Sequence, residues 1–383
     1  MKNEIEFYDK MYFKDRTIKY RLKDIFDDNW DNFIKDNSNL KIRDVVFKEV
    51  DKMRSCKTSE LGYSVYECPD CGELKFSYHT CKSRFCPSCG NKYVKKRADA
   101  ILQKCYNCKH RHIVFTISDY LWDIFRKNRK LLDLLFQAVS QTILSWCKEK
   151  YKKENYIPGI IAVLHTYGRD MKWNTHIHTI VTEGAMGNSN IFKKFEYISF
   201  NALRKRFQKI LLDLLEKELG KQNFKTLKNF IYKKSDNGFY VYAEQKKNKK
   251  QSTKDMVEYV VRYSGKPAMA ESRIIDYDGT YITFWYQRHE DNKIVKEKIH
   301  VYDFFKRLII HIPEENFKTV RYYGIYSKKH KFHDKMVMLM KSHTKELRKK
   351  LSTWRMMILK DFDTDPLTCP KCGNLMLWQY RVC

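Results

Sequence analysis

The sequence predicts an α+β protein in three units. A helical, cysteine-bearing unit occupies 1–110, and a central antiparallel sheet with flanking helices occupies 111–325. A basic helical tail over 326–383 ends in a cysteine pair. Three observations carry this division. Helix-spaced apolar positions dominate residues 18–53; cysteine-punctuated loops follow from Cys56 to Cys89; and strand-like runs alternate with amphipathic helical ones from residue 112 onward.

The first helical stretch rests on Leu22, Ile25 and Phe26, then Val45, Val46 and Val50. After the cysteine loops, the basic stretch NKYVKKRADAILQK reads as a helix. HIVFTIS (112–118) has the pattern of a buried strand, and Ser118 can cap an amphipathic helix predicted from near Leu121 to about Tyr151. GIIAVLHTYG (159–168) and THIHTIVT (175–182) are apolar, β-rich runs separated by six residues, which suits an antiparallel hairpin. Leu203, Phe207, Ile210, Leu211 and Leu214 mark one helix face within a helical insertion spanning 190–250. Beyond the basic loop QKKNKKQSTK (245–254), KDMVEYVVRYSG (254–265) reads as a short helix closed by Gly265. SRIIDY and TYITFWYQ flank an Asp278-Gly279 turn, and IVKEKIHV adds a third strand. A helix (303–312), a strand around Thr319 to Tyr323 and a basic helix (332–360) complete the order.

Apolar residues make up 43% of the 383, which excludes a mostly disordered chain. The 75 Lys and Arg against 46 Asp and Glu leave a net charge of +29, a surplus that calls for a polyanion, and nucleic acid is the obvious one. No apolar run approaches the roughly 20 residues that span a bilayer, so no membrane partner is expected. The opening MKNEIEFYDKMYFKDR lacks the apolar core of a signal peptide, which predicts a cytoplasmic location. Aromatic residues reach 15% with 26 tyrosines; on a basic background such rings can stack unpaired bases, although core packing accounts for most of them.

The 12 cysteines fall mostly in C-x-x-C pairs, the spacing of metal ligands rather than of disulfides. Cys68-x2-Cys71 and Cys86-x2-Cys89 stand 14 residues apart and together offer the four thiolates of a structural zinc site. Cys56, Cys81, His79 and the pair Cys105-x2-Cys108 leave a second site or another ligand set open. Zinc there would present Lys82, Arg84, Lys92, Lys95, Lys96 and Arg97 to DNA phosphates. At the other end, Cys369-x2-Cys372 is followed only by Cys383, so that knuckle lacks a fourth ligand within its own segment.

His176-Ile177-His178 lies inside a predicted strand, where alternation points both imidazoles to one face. With the hairpin centred on 170 and 171, His165 falls opposite His176 on that face and is the first candidate for a third ligand; Asp170 and Glu258 are alternatives. Tyr259 and Tyr263 are spaced i, i+4 on the short helix, so their hydroxyls emerge together. A phenol titrating near roughly 10 attacks a phosphate only where cations assist it. Arg262 and Lys266 are such cations.

In this order the motifs resemble the rolling-circle transposases of insertion-sequence family ninety-one, members of the two-tyrosine HUH endonucleases. The resemblance covers CPDCG through SYHTCKSRFCPSCGNK, then HIVFTIS, VLHTYGRDMKWNTHIHTIV, YVVRYSGKPAMAESRI, YITFWYQR, DFFKRLIIHIPEENFKTVRYYGIYS and CPKCG. It implies an HUH-type catalytic unit in which His176 and His178 hold Mg²⁺ or Mn²⁺ and Tyr259 and Tyr263 are the nucleophiles. It further implies that one tyrosine cuts a strand and keeps the 5′-phosphate, that the second permits a paired transfer, and that the partner is single-stranded DNA, often folded into a hairpin at an element end. The cell would be bacterial and the protein nucleoid-associated. Where relatives often carry a further His, this chain has Asn174. Two other readings stand beside this one: a plasmid or phage replication initiator, and a zinc-ribbon nucleic-acid-binding protein without catalysis.

Overall fold

The computed structural model describes residues 18–106, 108–152, 154–189, 191–195, 200–243, 253–261, 267–288, 291–329, 353, 355–356, 358–359 and 365–383. Helices α1 (Leu22–Asp36) and α2 (Asp44–Arg54) precede a hairpin of β1 (Tyr63–Glu67) and β2 (Leu74–Tyr78). Helix α3 (Pro87–Leu102) begins on Pro87, whose fixed φ and missing N–H suit a first helical turn. Then come β3 (His110–Thr116), α4 (Trp122–Lys127), α5 (Leu132–Lys150), β4 (Ile157–Tyr167), β5 (Trp173–Met186) and β6 (Phe192–Lys194). Helices α6 (Phe200–Leu219) and α7 (Lys221–Lys234) lead to β7 (Val241–Ala243) and α8 (Thr253–Val261). The rest is β8 (Ile274–Tyr277), β9 (Tyr281–Gln287), β10 (Ile294–His300), α9 (Val301–Ile309), β11 (Val320–Gly324) and β12 (Leu377–Val382).

The mixed helix and antiparallel-sheet architecture expected from the sequence is present. The largest sheet runs β11-β4-β5-β3-β7, with β6 beside the far end of β5. Alternation along its strands builds two cores, because successive side chains leave opposite faces. Ile160, Ala162 and Leu164 of β4, with Ile177 and Val181 of β5, pack against α5 and α6. Ile161, Val163 and Ile180 point the other way, onto Ala98 and Ile101 of α3 and Met256, Val257 and Val260 of α8. The second face is the one on which His165, His176 and His178 stand.

A separate core joins the first helices to the chain beyond residue 267. Leu22, Phe26, Trp30 and Phe33 recur on one face of α1 and pack on Phe304, Phe305 and Leu308 of α9 and on Ile282 and Phe284 of β9. Burying each such side chain contributes about 1.5–3 kcal/mol, so the N-terminal helices are held by residues far along the sequence.

The helix predicted from Leu121 to Tyr151 is interrupted. Asn128 leaves helical geometry (φ −116°, ψ 89°), and Arg129 turns inward to donate to the carbonyls of Ile310 and Ile312. Tertiary hydrogen bonding overrides an apolar period that by itself runs straight through. On α6 the buried face includes Leu203, Phe207 and Leu211 with Leu212 and Leu215, whereas Ile210 and Leu214 are only partly covered. The basic stretch 332–360 lies almost wholly outside the described residues. Among the described residues, no helix is long and apolar enough to cross a membrane.

Candidate active site and metal centres

The β4-β5 hairpin sets His165 directly opposite His176. Together with His178, each offers a ring nitrogen within 4.8 Å of one from the other two. Burial pushes His176 down to about 4 and holds His165 and His178 well below the usual imidazole range, with neighbouring imidazoles adding to the effect. Three neutral imidazoles in one pocket are the donor set a divalent ion takes.

Each ring is also held from outside, as ligating histidines are. His165 Nε2 donates to the Val260 carbonyl at 3.1 Å, which ties the cluster to α8. His176 Nδ1 donates to the Asn174 carbonyl at 2.8 Å, so Asn174 contributes its main chain. His178 Nδ1 lies 2.7 Å from His112 Nε2. Asp170 and Glu258 stand outside the cluster: Asp170 accepts from the Lys172 N–H in the hairpin turn, and Glu258 is exposed near Lys254.

Sequence reasoning missed His112. It sits on β3, its ring stacked 5.0 Å from that of His178, and burial pushes it down to about 4. The alternation in His110-Arg111-His112 was a signal, but only the pairing of β3 with β5 puts His112 on the metal-site face. Tyr259 on α8 stands over the same group, its ring centroid 5.5 Å from His112 and 6.2 Å from His178. Arg262, Tyr263 and Lys266 lie outside the described residues. Helix α3 packs beside α8 and carries Lys92 and Lys96 exposed and Lys95 and Arg97 half-buried. Lys82 is exposed on the preceding loop, while Arg84 donates to Thr319 Oγ1 at 3.2 Å.

The pairing of Cys68 and Cys71 with Cys86 and Cys89 is corrected. Cys56, Cys81, Cys86 and Cys89 form one four-thiol cluster; Cys68, Cys71, Cys369 and Cys372 form another. The reason is the hairpin. Cys68 and Cys71 sit at its tip, whereas Cys56 and Cys81 flank its base, and five-residue strands put about 17 Å between the two ends. The C-terminal knuckle reaches the tip because β12 pairs antiparallel with β1, Leu377 opposite Glu67 and Val382 opposite Tyr63. The segment expected as a separate tail thus joins the N-terminal sheet, and Cys68 and Cys71 supply the third and fourth ligands beside Cys369 and Cys372; Cys383 is not among them.

Sulfur separations fit tetrahedral zinc, for which bonds of ~2.3 Å set neighbouring sulfurs about 3.8 Å apart. Cys68 to Cys372 is 3.4 Å, Cys71 to Cys369 is 3.6 Å and Cys56 to Cys89 is 3.6 Å. The two knuckles at the tip are near copies. Gly72 donates to the Cys68 carbonyl and Gly373 to that of Cys369, each glycine at a positive φ, 68° and 79°, that a side chain would strain. Backbone N–H groups of Cys372 and Lys371 hold the Cys369 thiol down to about 7, towards the thiolate that zinc requires. Cys105 and Cys108 join neither cluster, and burial pushes both thiols up to about 12. Replacing Cys369 and Cys372 by Ser is expected to lower zinc from two ions per chain to one, as read by elemental analysis of the purified protein. An unchanged content would mean that the tip cluster holds no ion.

A family described as "Putative transposase" matches residues 159–333, and "Transposase zinc-binding domain" matches residues 25–117. The chain is 30% identical over 377 residues to the transposase for insertion sequence element IS801 of Pseudomonas savastanoi pv. phaseolicola, covering 94% of this chain and 90% of that protein. It is 24% identical over 296 residues to the putative transposase y4qJ of Sinorhizobium fredii, covering 72% and 73% of the two chains. No solved structure matches it significantly. With two structural cysteine clusters, an imidazole pocket and near full-length similarity to a transposase, the chain belongs to the transposases of insertion-sequence family ninety-one, enzymes that act on DNA.

Proposed function

We propose that the protein cuts and rejoins single DNA strands by rolling-circle transposition, with Tyr259 as a nucleophile beside an HUH-type metal site. The observation that carries this is the edge-on packing of Tyr259 against the imidazole pocket, its ring centroid 5.5 Å from that of His112 and 6.2 Å from that of His178. The phenolic oxygen attacks phosphorus, the bond from phosphorus to the 3′-oxygen breaks, and the 5′-phosphate stays on the tyrosine. The phenolic proton departs, and the freed 3′-oxygen becomes a hydroxyl. Transfer to a second strand reverses these steps without an outside energy source.

Imidazole donors suit zinc or manganese by softness and the family resemblance favours Mg²⁺ or Mn²⁺; the ion when bound would polarise the scissile phosphate. His165, His176 and His178 would hold it, with His112 fixing the ring of His178. Tyr263, four positions beyond Tyr259 in the sequence, would serve the second transfer, and Arg262 and Lys266 would balance phosphate charge. Helix α3, set beside α8, offers Lys95, Lys96 and Arg97 to the sugar-phosphate backbone, and Lys82 and Arg84 extend that surface. The single-stranded substrate would be an element end, and such a cationic protein would reside on DNA in the bacterial cytoplasm.

Incubating the protein with Mn²⁺ and single-stranded DNA from an element end tests this reading. A 3′-labelled strand is expected to leave its label on the protein after denaturation, and a 5′-labelled strand to yield a shorter product ending in a 3′-hydroxyl. A non-catalytic binding protein gives neither.

A further inference from the structure

The face that carries the imidazoles continues past them to an edge of the sheet. Strand registers define one row across it: Val163 of β4, His178 of β5, Val114 of β3 and Tyr242 of β7 are mutually opposite. The next row holds His165, His176 and Thr116, and the Thr116 N–H donates to the Tyr240 carbonyl at 2.9 Å. Residues directly opposite in antiparallel strands share a face, so Tyr242 stands on the face of His178, two strands or about 10 Å away. Val241 between the tyrosines is buried on the other side with Phe115.

At that edge the two rings lie parallel, centroids 6.2 Å apart and planes within 4°. Tyr240 is 53% and Tyr242 47% exposed, and the Arg204 guanidinium sits 5.3 Å over the Tyr240 ring. Strand β7 is last in the sheet order among the described residues. Two large rings turned to solvent beside a cation, on a chain of net charge +29, are the components of a base-stacking surface.

We propose that Tyr240 and Tyr242, with Arg204, form a stacking platform for unpaired bases flanking the phosphate at the imidazole pocket. The proposal rests on the strand-cutting reading for where the phosphate lies. Stacking needs an exposed base face, which a single strand presents and a duplex hides between neighbouring pairs. The platform therefore selects single strands next to the chemistry, while the lysines of α3 contact phosphates of either form.

The test uses the full zinc-loaded chain without added Mg²⁺ or Mn²⁺, where cutting plays no part, with fluorescein-labelled oligothymidylate read by anisotropy. Substituting Leu at both positions (Tyr240→Leu with Tyr242→Leu) keeps apolar bulk at the edge and removes the π-faces. Each lost ring is expected to weaken binding roughly 5- to 150-fold, the effect of removing a base-stacking aromatic. Binding of a duplex of equal length should change less than about twofold, since phosphate contacts remain. The Tyr240→Phe, Tyr242→Phe pair keeps the rings and should bind oligothymidylate as the parent does. Parental affinity in the Leu pair overturns the platform, and so does an equal loss for duplex and single strand. If the parent forms a covalent adduct while the Leu pair binds normally, the platform alone fails. If ring-dependent binding is seen but no adduct forms, the cutting reading alone fails.

Discussion

Replacing Tyr259 by Phe is expected to reduce the covalent protein–DNA product by at least about 10³-fold, since removing a nucleophile leaves only binding and electrostatic assistance. The substitution removes one oxygen and keeps the ring that packs edge-on to His112 and His178. The ring is 40% exposed, so folding should change by less than ~0.5 kcal/mol and DNA retention should persist. The measurement is the fraction of 3′-labelled strand that migrates with denatured protein. A parental yield in Tyr259→Phe would remove this residue from the role, and Tyr263→Phe run alongside shows whether the second tyrosine initiates instead.

His178→Ala should lower metal-dependent cutting by more than about 100-fold, because it deletes a proposed ligand and also takes from His112 the ring it holds. Affinity for single-stranded DNA without added Mn²⁺ should remain within about threefold, as the basic surface supplies most of it. A variant that keeps parental cleavage across a Mn²⁺ titration would show that the pocket is not the metal site. His112→Ala, which removes the partner of His178 Nδ1 and a ring beside Tyr259 but none of the three clustered imidazoles, should cost less, roughly 10–100-fold.

Acid should act on the same pocket. Burial pushes His176 and His112 down to about 4, whereas unfolded imidazoles titrate near ~6.5. Between those values the unfolded chain takes up more protons than the native one, so stability falls as pH drops from 6.5 towards 4. The thermal midpoint at pH 5 should therefore lie below that at pH 7.

Much of the architecture was legible because it is written in local periods. The β4-β5 hairpin, the placement of His165 opposite His176, and the strand order around Asp278-Gly279 follow from alternation and turn chemistry within short windows. What was not legible depends on which distant segments meet. His112 became part of the pocket only through the pairing of β3 with β5, and the break at Asn128 answers carbonyls of Ile310 and Ile312 far along the chain. The cysteine pairing failed for the same reason. Nearness in sequence favoured Cys68 and Cys71 with Cys86 and Cys89, but a hairpin separates residues close in number while β12 delivers Cys369 and Cys372 from the opposite end.

That delivery has a consequence for biosynthesis. Cys68 and its partner Cys372 are 304 positions apart, so the tip cluster cannot close on the ribosome until the chain has emerged past residue 372. Until then the early knuckle holds half a ligand set, and the strand it belongs to lacks a neighbour. A prematurely terminated product therefore carries an exposed edge and two unmet thiols, features that proteases and chaperones act on. Only a chain translated through Cys372 and β12 attains the stitched form.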